Sequence, residues 1–209
     1  MVRFKQVALL AGAVAWLWLI GPAQASPLIA RLVSVTPSSG NFLWTYTASI
    51  AADERVQSGP NTVPPGISRP DFFTIYDILG LVAGSVTAPA GWTVSVQNLG
   101  IDPTFASPPS GDNPAIPNVT FTYTGAAPIL GPSASIGTFT FLSSIGGINP
   151  DGSFAAETTF QGGPQDNTNV YTSGSVPVPV PEPGTLLLAL AGPVFLFGAV
   201  KRGLRRQKV

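Results

Sequence analysis

The chain is 209 residues long, with 10 basic and 10 acidic side chains and neither Cys nor His. Without thiol or imidazole there is no disulfide framework, cysteine nucleophile or Ser-His-Asp triad, and most zinc sites are excluded. Between Ser26 and Val180, three arginines stand against nine carboxylates, a formal −6 that disfavours nucleic acid as a partner.

At the start of the chain, Arg3 and Lys5 precede an apolar run, Val7–Ile20. Ala23-Gln24-Ala25 then places small residues just ahead of Ser26. A positive leader, a short apolar core and a small-x-small triplet predict a secretory signal peptide over 1–25. Ala23, Ala25 and Ser26 mark its cleavage site. The Sec translocon and signal peptidase are the partners this implies.

The stretch 26–175 is read as one ectodomain, long enough for a single core. Its apolar residues recur at period two and are interrupted by Gly, Pro, Asn and Ser clusters, which predicts strands. Leu28–Val35 is the first. In the second, Phe42, Trp44, Tyr46, Ala48 and Ile50 share one face, and Leu43, Thr45, Thr47 and Ser49 the other. Phe72–Leu79 follows. Trp92, Val94 and Val96 then alternate with Thr93, Ser95 and Gln97, and Val119, Phe121 and Tyr123 alternate with Asn118, Thr120 and Thr122. Ile136–Leu142, Phe154–Phe160 and Asn169–Thr172 complete the set. Turn chemistry sits at Pro37-Ser38-Ser39-Gly40, Pro89-Ala90-Gly91 and Asn149-Pro150-Asp151-Gly152. Strands with one apolar and one polar face predict an all-β, antiparallel β-sandwich, with a closed barrel as the alternative. The stretches 53–70 and 99–117 concentrate Pro, Gly and polar residues, and are expected to be mobile surface loops.

Carboxylates are the remaining groups able to run hydrolysis. Asp71 and Asp77 flank one predicted strand, while Asp102, Asp112, Asp151 and Asp166 fall in predicted loops. That spacing singles out no acid and nucleophile, so solvated loop carboxylates are the simpler reading. No catalytic residue is assigned, and the chain is expected not to be an enzyme. Calcium is the one cofactor the acidic loops invite. Asn149-Pro150-Asp151-Gly152 and Gln165-Asp166-Asn167-Thr168-Asn169 offer oxygen ligands, but neither follows an EF-hand pattern. Asx turns are the preferred account, and neither a metal ligand nor a cofactor-binding residue is assigned. Trp44, Tyr46 and Trp92 are of a type that stacks on sugars, yet each lies in phase with its strand's apolar face, which predicts core packing.

Val176–Pro181 alternates Val and Pro and is expected to be an extended spacer, opening a C-terminal segment over 176–209. From Leu186 to Val200 no side chain is charged. A transmembrane helix over 185–200 follows, though 15 such residues span only about 22 Å against roughly 30 Å of hydrocarbon. The tail 201–209 carries Lys201, Arg202, Arg205, Arg206 and Lys208 with no acidic residue, which places the C-terminus in the cytoplasm. Ahead of the helix, Pro181 and Pro183 hold Glu182 on an extended chain at the far membrane surface.

Val180, Pro181, Glu182, Pro183 and Thr185, followed by a short apolar helix and an Arg-rich end, resemble the PEP-CTERM sorting domain of Gram-negative bacterial surface proteins. The likeness covers about the last 30 positions. Pro193 inside the helix and the ending Gln207-Lys208-Val209 depart from the family pattern. The resemblance implies recognition and removal of the tail by an exosortase, after an inner-membrane intermediate. It also implies delivery to the cell surface or extracellular matrix, with a link to exopolysaccharide and biofilm. The function expected is that of a non-enzymatic exported surface protein. The alternative is a secreted carbohydrate-binding adhesin, or a carbohydrate-active enzyme, that uses the same tail.

Overall fold

The computed structural model describes residues 28–59, 69–100 and 112–181. Their strands are β1 (Leu28–Ser38), β2 (Asn41–Ile50), β3 (Glu54–Val56), β4 (Phe72–Ile75), β5 (Trp92–Gln97) and β6 (Asn118–Tyr123). There follow β7 (Ile129–Leu130), β8 (Thr138–Ser143), β9 (Ile148–Asn149), β10 (Ser153–Phe160), β11 (Asn169–Ser175) and β12 (Val178–Pro179). One turn of 3-10 helix at Gly163–Gln165 is the only helical element among the described residues. Every strand pairing is antiparallel.

β1 and β2 form a hairpin closed by Ser39 and Gly40, with φ of 48° and 82°. Two consecutive residues with positive φ make the tight turn whose twist matches flanking strands, and Gly40 adopts that conformation without a Cβ penalty. β8 adds to β2, giving the order β1-β2-β8. The second sheet runs β5-β6-β4-β10-β3-β7, with β11 along the other edge of β10. β4 and β3 share one edge of β10 end to end, opposite residues 154–157 and 159–160.

In β2 the inward face is the one period two predicts, whereas in β5 only Trp92 of the predicted face is buried. Trp44, Tyr46, Ala48 and Ile50 of β2 meet Phe73 and Ile75 of β4, Val119 and Phe121 of β6, and Phe154 of β10 in one buried cluster. Phe139 of β8 reaches across: its ring lies 4.8 Å from those of Phe73 and Phe121 and 5.1 Å from that of Trp92. Trp44, Tyr46 and Phe141 stack beside it at 5.5 to 6.4 Å. The architecture is all-β, antiparallel and sandwich-like, and the described strands divide into separate sheets rather than one closed ring.

Three expectations are corrected. The strand expected over Phe72–Leu79 stops at Ile75, because Asp77 turns the chain with a φ of 55°. The expected loop over 53–70 contains β3, whose Glu54 and Val56 are buried and whose Arg55 pairs with Thr159 of β10. Val176–Pro181 is extended, as alternating proline demands, but it is docked rather than free. Val176 and Val178 are buried, and β12 pairs with β9. In a Val-Pro repeat only the valines carry an N–H. Val176 N donates to Gly152 O (2.8 Å) and Val180 N to Gly147 O (2.9 Å), so the available donors find partners. Gly152 permits this closeness: a Cβ there would lie 2.4 Å from a Val178 methyl and 2.6 Å from Val176 O. The Tyr46 hydroxyl adds a bond to Pro177 O at 2.7 Å. Tyr46→Phe is therefore expected to keep the ring stack and cost about 1–2 kcal/mol, the loss of one bond to a partly buried carbonyl. Thermal unfolding, with limited proteolysis around 176–181, measures it.

Candidate functional site

Asp71, expected among the solvated carboxylates, is buried, and so are Glu54 and Glu157, for which the sequence suggested no role. Residues opposite one another in an antiparallel pair project to the same side of the sheet. Glu54 opposes Phe160, in phase with Thr158 and the core residues Phe154 and Ala156, so it faces inward. Thr158 Oγ1 donates to Glu54 Oε2 at 2.5 Å. Burial pushes the Glu54 carboxyl up to about 7; the Thr158 bond opposes that shift and the nearby Asp53 charge adds to it.

Glu157 lies on the opposite face. Across the strands it sits in a row with Tyr171, Phe72 and Thr122. Arg69 meets it twice on Oε2, through Nη2 at 2.7 Å and Nε at 2.8 Å, and Asn169 Nδ2 donates to its Oε1. The guanidinium also stands 4.6 Å from the centre of the Phe72 ring. Burial raises the pKa of Glu157, and the charge and hydrogen bonds of Arg69 and Asn169 hold it back. Asp71 accepts Gln57 N at 2.7 Å and Thr159 Oγ1 at 3.0 and 3.1 Å. These bonds tie β10 to β11 and to the segments before β4 and after β3, which is a structural task.

Asp77 and Asp112 are brought together at one end of β6. Asn113 N donates to Asp77 Oδ1 (3.2 Å), Gly100 N to Asp112 Oδ2 (2.7 Å), and Asn118 Nδ2 to Asp112 Oδ1 (2.7 Å). Burial is the main cause that raises the Asp77 pKa, and the Asp112 charge adds to it. Asp102 lies outside the described residues. Asp151 and Asp166 stand in separate loops.

Both calcium candidates carry hydrogen bonds within the protein. Asp151 N donates to Asn149 Oδ1 at 3.1 Å, an Asx turn. Asp166 Oδ1 accepts Gly162 N at 2.9 Å and Arg55 Nη1 at 3.0 Å. The Gly162 bond first, and then Arg55, lowers its pKa. Among the described residues no three acidic, His or Cys side chains converge as a metal site needs. Trp44, Tyr46 and Trp92 are all buried, so their rings are core, as their phase predicts.

Of the sorting residues, Val180 and Pro181 are described. Val180 is held to Gly147 and Pro181 is exposed, so the first residue of the expected motif is docked on the described fold. Glu182, Pro183 and Thr185, the basic residues Lys201, Arg202, Arg205, Arg206 and Lys208, and the cleavage-site residues Ala23, Ala25 and Ser26 lie outside the described residues. The expected signal peptide and the expected membrane helix do too. No helix among the described residues is long and apolar enough to cross a membrane.

Reading the sequence missed the Arg69–Glu157–Asn169 cluster and the Glu54–Thr158 pair. Their signal was there: Glu157 is one charge inside an otherwise uncharged strand, Ser153–Phe160, and Arg69 is one of three basic residues in 26–180. No protein-family model matches the chain, and no curated protein matches it either.

Proposed function

We propose that the chain is a non-enzymatic exported protein, sorted through its C-terminal segment by an exosortase to the cell surface or extracellular matrix. The observation that carries this is the ordered run Val180-Pro181-Glu182-Pro183-Gly184-Thr185, uncharged 186–200 and basic 201–208. The N-terminal leader supplies export through the Sec translocon and signal peptidase. Resemblance to PEP-CTERM proteins supplies the link to exopolysaccharide and biofilm. The non-enzymatic part is supported by the placement of the carboxylates: Glu54 faces the core, Glu157 is ion-paired on the other face, and Asp71 is consumed by Gln57 and Thr159. A glycosidase needs two carboxyls about 5–9 Å apart in an open groove; Asp77 and Asp112, which do come together, each accept a backbone N–H, from Asn113 and Gly100.

The docked Val176–Val180 segment deepens the sorting reading. Residues 176–180 are docked rather than a free spacer, so tail removal beyond Val180 would leave β12 with the domain. The test combines cell fractionation with mass spectrometry of the mature C-terminus. Tail removal beyond Val180 and an extracytoplasmic product are expected. Replacing Pro181, Glu182 and Pro183 by alanine is expected to leave full-length chain in the inner membrane. A native product ending at Val209, or an alanine variant processed normally, would overturn the proposal.

A further inference from the structure

We propose that the open edge of β5 pairs with the same edge of a second copy of this chain, antiparallel about a two-fold through Ser95, continuing the larger sheet across two subunits. β5 ends its sheet, with β6 as its one strand neighbour among the described residues. Thr93, Val94, Ser95 and Val96 are all exposed, so the strand stands clear on both faces. Val94 and Val96 follow the phase of buried Trp92, yet they are 37% and 50% exposed, and Leu99 just beyond is 64% exposed. The smaller sheet does not extend over them.

Backbone direction decides which groups are unmet. Thr124 N donates to Gly91 O, Tyr123 N turns away from β5 to Asp71 O, and Trp92 N turns to Pro89 O. The odd positions 91, 93, 95 and 97 therefore face β6, and the N–H and C=O of Val94 and Val96 face the open edge. That row is self-complementary. With Ser95 opposite its own copy, Val94 of each chain opposes Val96 of the other, so both residues exchange backbone bonds while their side chains cover one another. A register centred on Val94 instead sets the partly used Trp92 backbone against Val96.

Charge points to the same occupant. The ectodomain is acidic, so two copies repel except across an uncharged surface. Residues 78–101 and 113–150, which include β5 and β6, contain no charged side chain. Natural sheets guard their edges with charges, prolines, bulges or short strands. β1 has Arg31, Pro37 and a bulge between Leu32 and Ser34; β7 is two residues long and is followed by Pro132; β8 is bridged by Leu81 and Thr87; β11 lies against β1. β5 has no such guard. One strand pair lies at the small end of specific interfaces, so the association is expected to be weak and concentration-dependent.

The absence of cysteine makes the test clean. A pair at a non-hydrogen-bonded position has Cα atoms about 4.5 Å apart, within disulfide reach. Full-length Ser95→Cys, solubilised in non-ionic detergent and oxidised with copper–phenanthroline, is expected to shift to twice the monomer mass on a non-reducing gel. Thr36→Cys, on the exposed face of β1, is expected to stay monomeric. Adding Val94→Lys and Val96→Lys to Ser95→Cys is expected to abolish the shift while circular dichroism reports the same strand content. Equal crosslinking of Ser95→Cys and Thr36→Cys, a folded Ser95→Cys chain that remains monomeric, or crosslinking that survives both lysines would overturn the proposal. Where a variant loses its strand content, sedimentation of the unsubstituted chain over a range of concentrations decides: a monomer throughout overturns it.

Discussion

Phe139→Ala is expected to destabilise the β domain by about 3–5 kcal/mol, the range for deleting a buried phenylalanine ring. Phe139 has no exposed surface, and its ring meets Phe73, Phe121 and Trp92 edge-on from the opposite sheet. Three facing rings on β4, β6 and β5 cannot all collapse into the space it leaves, since each is fixed by its own strand register. The cavity term therefore adds to the lost transfer energy. A domain of this size is stable by only about 5–15 kcal/mol, so one ring accounts for a large share. Denaturant unfolding followed through the fluorescence of Trp44 and Trp92 measures the loss. A shift below about 1 kcal/mol would mean that the two sheets are not locked through Phe139.

Much of this core was legible because strand periodicity acts one residue at a time. Phe42–Ile50 alternates without a break, and the face it predicts is the face buried from Trp44 to Ile50. In β6 the predicted face, Val119, Phe121 and Tyr123, is buried too, but so are Asn118 and Thr120 on the other face. Periodicity gave no warning where both faces are buried. β10 buries seven consecutive residues from Ser153 to Thr159, since the core covers one side and the ion-pair layer the other. Thr, Ala and Glu on that second side look solvent-facing by composition alone.

β3 and β12 escaped for a different reason. Three residues carry too little pattern to register as a strand, and Val-Pro alternation satisfies a polyproline spacer and a docked edge strand equally well. What separates the two is the position of Gly147 O and Gly152 O, which only the tertiary fold supplies. The proposed sorting motif is of another kind: it rests on linear order, which needs no fold, and all of it after Pro181 lies outside the described residues.

Glu54→Gln is expected to remove most of the pH dependence of stability between about pH 4.5 and 7. The unfolded carboxyl titrates near 4.5 and the folded one near 7, so across that window the folded state binds the extra proton. Stability is then greatest at or below pH 4.5, falls as pH rises through the window, and levels off above it. Full expression of the shift is worth up to about 3 kcal/mol, at 1.36 kcal/mol per pH unit. Glutamine retains an oxygen for the Thr158 hydroxyl but cannot ionise. The variant should therefore match the parent at pH 4 and exceed it by up to about 3 kcal/mol at pH 8. Glu157 and Asp77, also raised by burial, act with the same sign, and any slope left in the variant belongs to them. Asp166 acts oppositely, because its lowered pKa gives a contribution that disappears only as pH falls below its ordinary value of 3.8, outside the window. Urea titrations of both chains at half-unit steps from pH 4 to 8 decide the matter. Parallel curves would mean that Glu54 stays ionised in the fold, in which case its place opposite Phe160, facing the core, would need another counter-charge than the Thr158 hydroxyl.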